Sequence, residues 1–318
     1  MKKRRTRQMQ FNAAGSFQHR RFERLMLLNR RFNTVVAESG KLLLSALIWP
    51  RFVAPFRWRL RRLEMPLRNL GRAFEGYRVL QLTDLHLGRT HAGYVQQVVE
   101  ASMATRPDLV VITGDLIDYD PVGLVELPGI LRRIVAPDGV VAIFGNHDYR
   151  EYSWNHVGAR SAHRAIHKRL VRILHEHGVR LLRNQRHVVK RGGEELTLVG
   201  LDEMWADRAD AEAAFAGVRA QEPVICLQHN PDGYKFLAKH PWQWMLCGHS
   251  HGGQANFPVI GPLYVPMENR EWLRGLFYFE DATFGRRTMY VSTGIGYSTP
   301  IRMRVPPETT LFSLRSEG

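Results

Sequence analysis

The chain repeats one arrangement five times: an apolar run of strand length that stops at Asp, Asn or His. Residues 77–83 run into Asp84-Leu85-His86, and 108–113 into Gly114-Asp115-Leu116-Ile117-Asp118. Residues 139–144 run into Gly145-Asn146-His147-Asp148, 223–228 into His229-Asn230-Pro231, and 242–247 into Gly248-His249-Ser250-His251-Gly252-Gly253. Helical patterns at 93–105, 124–134 and 160–177 separate the early runs, and strands alternating with helices predict an α/β sheet. Further strands are expected at 187–191, 195–200, 272–279, 287–292 and 309–314. In such sheets ligands and reacting groups gather beyond the carboxyl ends of the strands. The five polar endings therefore converge on one place.

The residue types that converge have metal-ligand chemistry. Asp and Asn offer hard oxygen, and neutral His offers imidazole nitrogen. In Asp84-x-His86 and His249-x-His251, alternate residues of extended chain project the same way, so each pair can reach one region. Glycines before Asp115, Asn146 and His249 allow sharp turns and leave room. Two carboxylates (Asp84, Asp115), one amide (Asn146) and four imidazoles (His86, His229, His249, His251) exceed the needs of one cation. They suit two divalent cations about 3.5–4 Å apart, an arrangement used for in-line displacement at phosphorus. The donor set accepts Mn²⁺, the first choice, and equally Fe, Zn²⁺ or Co²⁺.

Taken in order, Asp-x-His, Gly-Asp-x-x-Asp, Gly-Asn-His-Asp, a lone His and Gly-His-x-His resemble the calcineurin-like metallophosphoesterases over about residues 77–315. Cys-Gly-His-Ser-His-Gly-Gly-Gln and the late Gly-Ile-Gly-Tyr-Ser-Thr-Pro-Ile-Arg are similar to a bacterial membrane-associated branch. That branch includes UDP-2,3-diacylglucosamine pyrophosphatases of lipid A synthesis. The resemblance implies a four-layer α/β/β/α sandwich. It implies that Asp84, His86 and His251 hold one metal, that Asn146, His229 and His249 hold the other, and that Asp115 bridges them. It implies that His147 faces the substrate phosphate as general acid or charge stabiliser, oriented by Asp118. Asn146, Arg302 and Arg304 are the expected contacts to the substrate phosphate.

Charge divides the chain. Residues 1–72 carry 18 Lys and Arg against three Glu, whereas residues 73–318 are balanced at 27 of each sign, so the whole net charge of +15 lies in the first part. Two domains are expected: a basic segment over 1–72 and a catalytic domain over 73–318. Leu25, Leu28, Phe32, Val35, Val36, Leu43, Ala46 and Leu47 share one helical arc, and the stretch from Arg51 to Arg62 interleaves aromatics with arginines. An N-terminal amphipathic helical extension lying on an anionic membrane surface is expected first. Packing on the protein's own core and nucleic-acid binding are the alternatives, the last disfavoured by the neutral remainder. No uncharged apolar run approaches the ~20 residues of a membrane span. Arg30-Arg31 hints at an export signal, but Glu38 and Lys41 interrupt the apolar stretch after it. The expected location is the cytoplasmic face of a bacterial inner membrane, attached peripherally.

The expected activity is hydrolysis of a phosphodiester or pyrophosphate bond, with a lipid-linked pyrophosphate as best specific substrate. A phosphodiesterase of other specificity and a non-catalytic binding protein on the same fold are the alternatives. The ligand set is complete, which favours an enzyme. Asp148 is left open between a supporting role at the metal site and a purely structural one. Residues 149–154 are equally a wall or lid over the site or an ordinary loop. Asp120 and Asp202 are read as capping or solvated residues, and Cys226 and Cys247 as unbridged apolar side chains. No role falls to His91, His156, His163, His167, His175, His177, His187 or His240.

Overall fold

The computed structural model describes residues 39, 48–118, 120–149, 160–257, 259–262, 265–297 and 299–317. The helical arc expected over residues 22–47 and most of the stretch 149–154 lie outside them. By contacts the chain divides into Met1–Trp49 and a body from Pro50 to Gly318. The fold is that of the body.

Fourteen strands are described: β1 (Arg59–Arg68), β2 (Arg78–Leu82), β3 (Leu109–Thr113), β4 (Val140–Ile143), β5 (Val179–Leu181), β6 (Gln185–Arg191), β7 (Glu194–Gly200), β8 (Val224–Leu227), β9 (Trp244–Cys247), β10 (Asn256–Phe257), β11 (Gly261–Pro262), β12 (Gly275–Asp281), β13 (Gly285–Val291) and β14 (Glu308–Glu317). Two six-stranded sheets result, ordered β1-β14-β2-β3-β4-β5 and β12-β13-β9-β8-β7-β6. β2 to β5 run parallel, as do β7, β8, β9 and β13. Three helices matter for the site: α1 (Ala92–Met103), α2 (Pro121–Leu131) and α3 (Arg160–Glu176). Asp120 caps α2 through the Val122 amide, and Pro121 follows it at the first helical position.

Alternation along each central strand separates three apolar layers. Leu80, Leu82, Val110, Ile112 and Ala142 face α1, α2 and α3, meeting Val95, Val99, Leu127, Leu170 and Leu174. Val79, Leu109, Val111, Val141 and Ile143 face the second sheet, where Leu196, Leu198, Ile225, Leu227 and Leu246 meet them. The far side of the second sheet buries Val224, Cys226, Met245 and Cys247 against Ala214, Phe215, Leu237 and Trp242. Strands buried on both faces explain the near-continuous apolar runs. The sandwich is the expected α/β/β/α, and both cysteines are buried and unbridged.

The charge boundary at residue 72 is not a structural boundary. β1 lies wholly inside the basic segment yet pairs in parallel with all ten residues of β14. Its Met65 and Leu67 are fully buried against the inter-sheet core. Its arginines serve the sheet edge: Arg68 donates to the Phe284 and Arg286 carbonyls, and Arg61 lies 3.8 Å from Glu308. Part of the basic charge therefore belongs to the catalytic body. Counting charges hid an alternating strand that buries Met65 and Leu67 and turns Arg62, Glu64 and Pro66 outward.

Candidate metal centre and active site

The parallel strands of both sheets point their carboxyl ends at one buried cluster. His86 Nε2 lies 3.0 Å from His251 Nε2 and 3.5 Å from Asp115 Oδ2. Asp84 Oδ1 lies 3.5 Å from His251 Nε2. On the other side of Asp115, its Oδ2 is 3.2 Å from His229 Nε2, and His249 Nδ1 is 2.7 Å from Asn146 Oδ1. Asp84, His86 and His251 thus form one group of mutually close ligand atoms, and Asp115, His229 and His249 another.

The backbone is bent to make this possible. Asp84, His86, Asp115, His249 and His251 all have positive φ, between 45° and 69°. That region is costly for residues with a side chain, and such strain persists where the surrounding structure overrides it. Here it folds each strand end back so that its side chain enters the cluster. Close packing demands glycine beside these residues. A methyl at Gly114 would stand 2.5 Å from His229 Nδ1, and one at Gly145 would strike the Asp115 carboxylate.

Hydrogen bonds to the far ring nitrogens turn the inner ones toward the cluster. His229 Nδ1 donates to the Thr113 carbonyl at 2.7 Å, and its buried Nε2 faces Asp115 Oδ2 at 3.2 Å. His249 Nε2 donates to the Pro266 carbonyl at 2.9 Å, which turns Nδ1 inward. The 265–269 loop that brings Pro266 is tied down by Asp232, which accepts the Glu268 and Asn269 amides. His86 Nδ1 faces Asp118 Oδ1 at 3.3 Å. Outer partners that fix the tautomer of a ligating histidine are what a metal site needs. Burial pushes the His229 imidazolium down, but the Asp115 carboxylate beside it wins and raises it to about 10. The field that would hold a proton there suits a cation equally well. Burial, with the His229 charge adding to it, pushes His249 down to about 3, which leaves it neutral. Carboxylate oxygens, an amide oxygen and imidazole lone pairs converging on two centres fit two divalent cations.

His147 differs from the ligands. Its side chain is 18% exposed, against 2% or less for Asp84, His86, Asp115 and His229. Its Nδ1 lies 2.5 Å from Asp118 Oδ1, and its amide donates to Asp115 Oδ1 at 2.9 Å. Burial alone would raise Asp118. Its bonds to His147 and His86 overcome that and hold it well below the usual carboxylate range. Arg89 also pairs with Asp118. Asp118 therefore orients two histidines, one more than the sequence suggests. Asp148 accepts the Leu116, Ile117 and Gly145 amides and so locks the Asp115 loop to the Asn146 loop. Its role is to hold backbone.

Arg302 requires a correction. It is fully buried, which removes it from direct contact with a substrate phosphate. Its Nη2 donates to the carbonyls of Thr293, Gly294 and Gly296 at 2.9, 3.3 and 2.5 Å, and lies 3.5 Å from His251 Nδ1. The same loop reaches Asp84 from behind, since the Ile295 and Gly296 amides donate to the Thr83 and Asp84 carbonyls. Arg302 holds the wall of the first metal group. We expect Arg302→Met to lower metal affinity by about 10–100-fold, the usual cost of losing an outer partner, with KM for a soluble diester little changed. Metal titration beside steady-state kinetics separates this from the phosphate-binding role, which predicts the reverse. Arg304 is exposed, and its carbonyl accepts from Arg274.

Several neighbours carry no sequence signal of their own. The Trp205 ring stands edge-on to His249 at 4.6 Å. Glu203 is buried with its carboxyl pushed up to about 7 by burial. Asp202 is buried, contrary to a solvated reading, and pairs with Arg183 and the Tyr149 hydroxyl. His167, given no role, stacks on Tyr149.

The model of the calcineurin-like phosphoesterase family matches residues 77–253, over half of the chain and every position expected to ligate metal. The chain belongs to this family. Its members include phosphodiesterases and pyrophosphatases, so the chain is a metallophosphoesterase, a hydrolase of phosphoric esters. It is 29% identical over 240 residues to phosphodiesterase YaeI of Escherichia coli K12, covering 75% of this chain and 82% of that one. It is 29% identical over 307 residues to the UDP-2,3-diacylglucosamine pyrophosphatase LpxG of Chlamydia muridarum, covering 83% of this chain and 92% of that one. Metallophosphoesterase YkuE of Bacillus subtilis is also 29% identical, over 249 residues, covering 76% and 80%. The family uses a dinuclear divalent metal site, and the two ligand groups about Asp115 correspond to it.

Proposed function

We propose that this metallophosphoesterase hydrolyses a phosphodiester or pyrophosphate linkage at two metals bridged by Asp115, with UDP-2,3-diacylglucosamine as best specific substrate. The observation that carries the reading is the pair of neighbouring ligand groups, Asp84-His86-His251 and Asp115-His229-His249, with the Asp115 carboxylate 3.5 Å from His86 of the first group and 3.2 Å from His229 of its own. When bound, the two cations supply Lewis acidity at the phosphoryl group and activate water as the nucleophile. Asp84, His86 and His251 would hold one of them, and Asn146, His229 and His249 the other. The Asp118 carboxylate accepts from His147 Nδ1 and so orients the ring, which makes Nε2 the position from which a proton can pass to a leaving oxygen. Mn²⁺ is the proposed metal, on the oxygen and imidazole donors of the site.

The lipid-linked substrate is supported by the LpxG likeness and by the basic N-terminal segment. That segment, with residues 1–49 outside the body, is proposed to hold the enzyme peripherally on the cytoplasmic face of the inner membrane. Among the described residues no helix is long and apolar enough to cross a membrane. The YaeI likeness favours the second reading, a phosphodiesterase of other specificity. A Mn²⁺-supplemented panel decides between them. UMP released from UDP-2,3-diacylglucosamine, well above the rate on bis(4-nitrophenyl) phosphate, is the expected result. Diester cleavage without UMP release gives the second reading the place.

A further inference from the structure

Large apolar side chains left in water by the described part of the body are unevenly placed. Six of the eight lie where the carboxyl ends of the central strands open: Phe52, Phe56, Val122, Val125, Val259 and Ile260. Val122 and Val125 occupy the first turns of α2, just past Asp118. Phe56 stands edge-on to Tyr94, at the start of α1, and to Tyr297. Val259 and Ile260 form the tip of the hairpin made by β10 and β11, which leaves the metal site directly after His251-Gly252-Gly253.

The hairpin tip is the extreme case. Val259 is 107% exposed and Ile260 74%, more than any other large apolar side chain among the described residues of the body except Val135 for the latter. Val259 also has φ +69°, a conformation that β-branched residues rarely adopt. A strained apolar tip held out from the body gains nothing from the protein's own core.

Backbone bonds tie the tip and the Phe52–Phe56 stretch to one segment. The Arg302 amide donates to the Pro50 carbonyl at 2.8 Å, and the Met303 amide to the Gln254 carbonyl at 2.9 Å. The Asn256 amide returns to the Met303 carbonyl at 3.1 Å. The charge about the tip and the Phe52–Phe56 stretch is mainly positive: Arg51, Arg57, Arg274 and Arg304 are exposed, and no Asp or Glu occurs in residues 50–60, 254–262 or 299–307, while Asp120 and Glu126 flank Val122 and Val125. Apolar tips set among arginines complement an anionic bilayer, whose headgroups meet the guanidinium groups while the tips enter the acyl boundary.

We propose that this rim docks on an anionic membrane, with Val259 and Ile260 inserted in the interface beside the mouth of the metal site. The inference deepens the lipid-linked reading above by giving the body its own membrane contact, apart from residues 1–49. Arg302 lies in the same segment, so the docked hairpin and the His251 side of the site are joined through residues 302–303.

The test uses the full chain with Val259→Cys carrying an environment-sensitive NBD label, and Tyr278→Cys labelled as a site away from the rim. Vesicles of phosphatidylethanolamine and phosphatidylglycerol should shift the emission at 259 to the blue and leave that at 278 unchanged. The double variant Val259→Asp/Ile260→Asp should lose at least about tenfold in vesicle affinity at a salt concentration that screens the N-terminal charge. Its hydrolysis of bis(4-nitrophenyl) phosphate should equal that of the unaltered protein. A label at 259 that stays in water on co-sedimenting protein overturns the proposal, as does undiminished binding by the double variant. So does a tip that instead controls self-association, seen by light scattering. An NBD shift with no hydrolysis of any phosphodiester leaves the docking surface standing and removes the substrate reading.

Discussion

Asp115→Asn is expected to leave the fold intact and strip the site of metal. The substitution keeps the size and one acceptor oxygen, so the His147 amide bond to position 115 can persist. The loss is of the negative charge that lies between the two ligand groups, 3.5 Å from His86 and 3.2 Å from His229. A unit charge pair at 4 Å in a partly screened site is worth about 4 kcal/mol, so each cation should bind at least about 10³-fold more weakly. Phosphodiester turnover at micromolar Mn²⁺ should fall in step, and millimolar Mn²⁺ should restore part of it. A second readout needs no metal. Asp115 is what raises the His229 imidazolium to about 10 in the metal-free protein, so its neutralisation should bring that titration down. NMR of the imidazole protons measures the shift. Full metal content by elemental analysis in this variant would remove Asp115 from its bridging place and leave the two-centre reading without its joint.

How far the sequence reveals this protein depends on the physical origin of each part. The central strands are legible because a strand buried on both faces must be apolar throughout, and the break into Asp, Asn or His is abrupt. Observed bounds such as Leu109–Thr113 and Val224–Leu227 fall within a residue of those expected. Ligand positions are legible because they sit at fixed offsets from those breaks. β1 is hidden for the opposite reason. Leu63, Met65 and Leu67 alternate with Glu64 and Pro66 in a strand that also carries Arg59, Arg61, Arg62 and Arg68, and the segment's net charge drowns the alternation. Arg302 shows a different limit. An arginine beside a glycine-rich loop reads as a phosphate binder, and only its burial reveals that three carbonyls already take its protons. Support from Asp232, Glu203 and Trp205 is equally invisible, because it depends on which loop reaches which histidine.

His147→Ala should separate proton delivery from metal binding. The ring is the most exposed of the histidines about Asp115 that carry an acidic partner, and its Nδ1 is taken by Asp118 at 2.5 Å. Nε2 is the nitrogen on the side away from Asp118. General acid catalysis is typically worth about 10²–10⁴-fold, so turnover should fall by that much while two metals per chain remain bound. The fall should depend on the leaving group. A 4-nitrophenolate leaves without much help from a proton, so its hydrolysis should suffer least, and an alkyl phosphodiester should suffer most. Asp118→Asn should share this dependence, since an amide holds the His147 ring in place less firmly than the carboxylate does, and should add a loss of metal affinity through His86, which Asp118 also faces. Equal losses for good and poor leaving groups in His147→Ala would mean that the ring stabilises phosphoryl charge and does not deliver the proton. Loss of metal from His147→Ala would make the ring a ligand and undo the assignment of roles around Asp118.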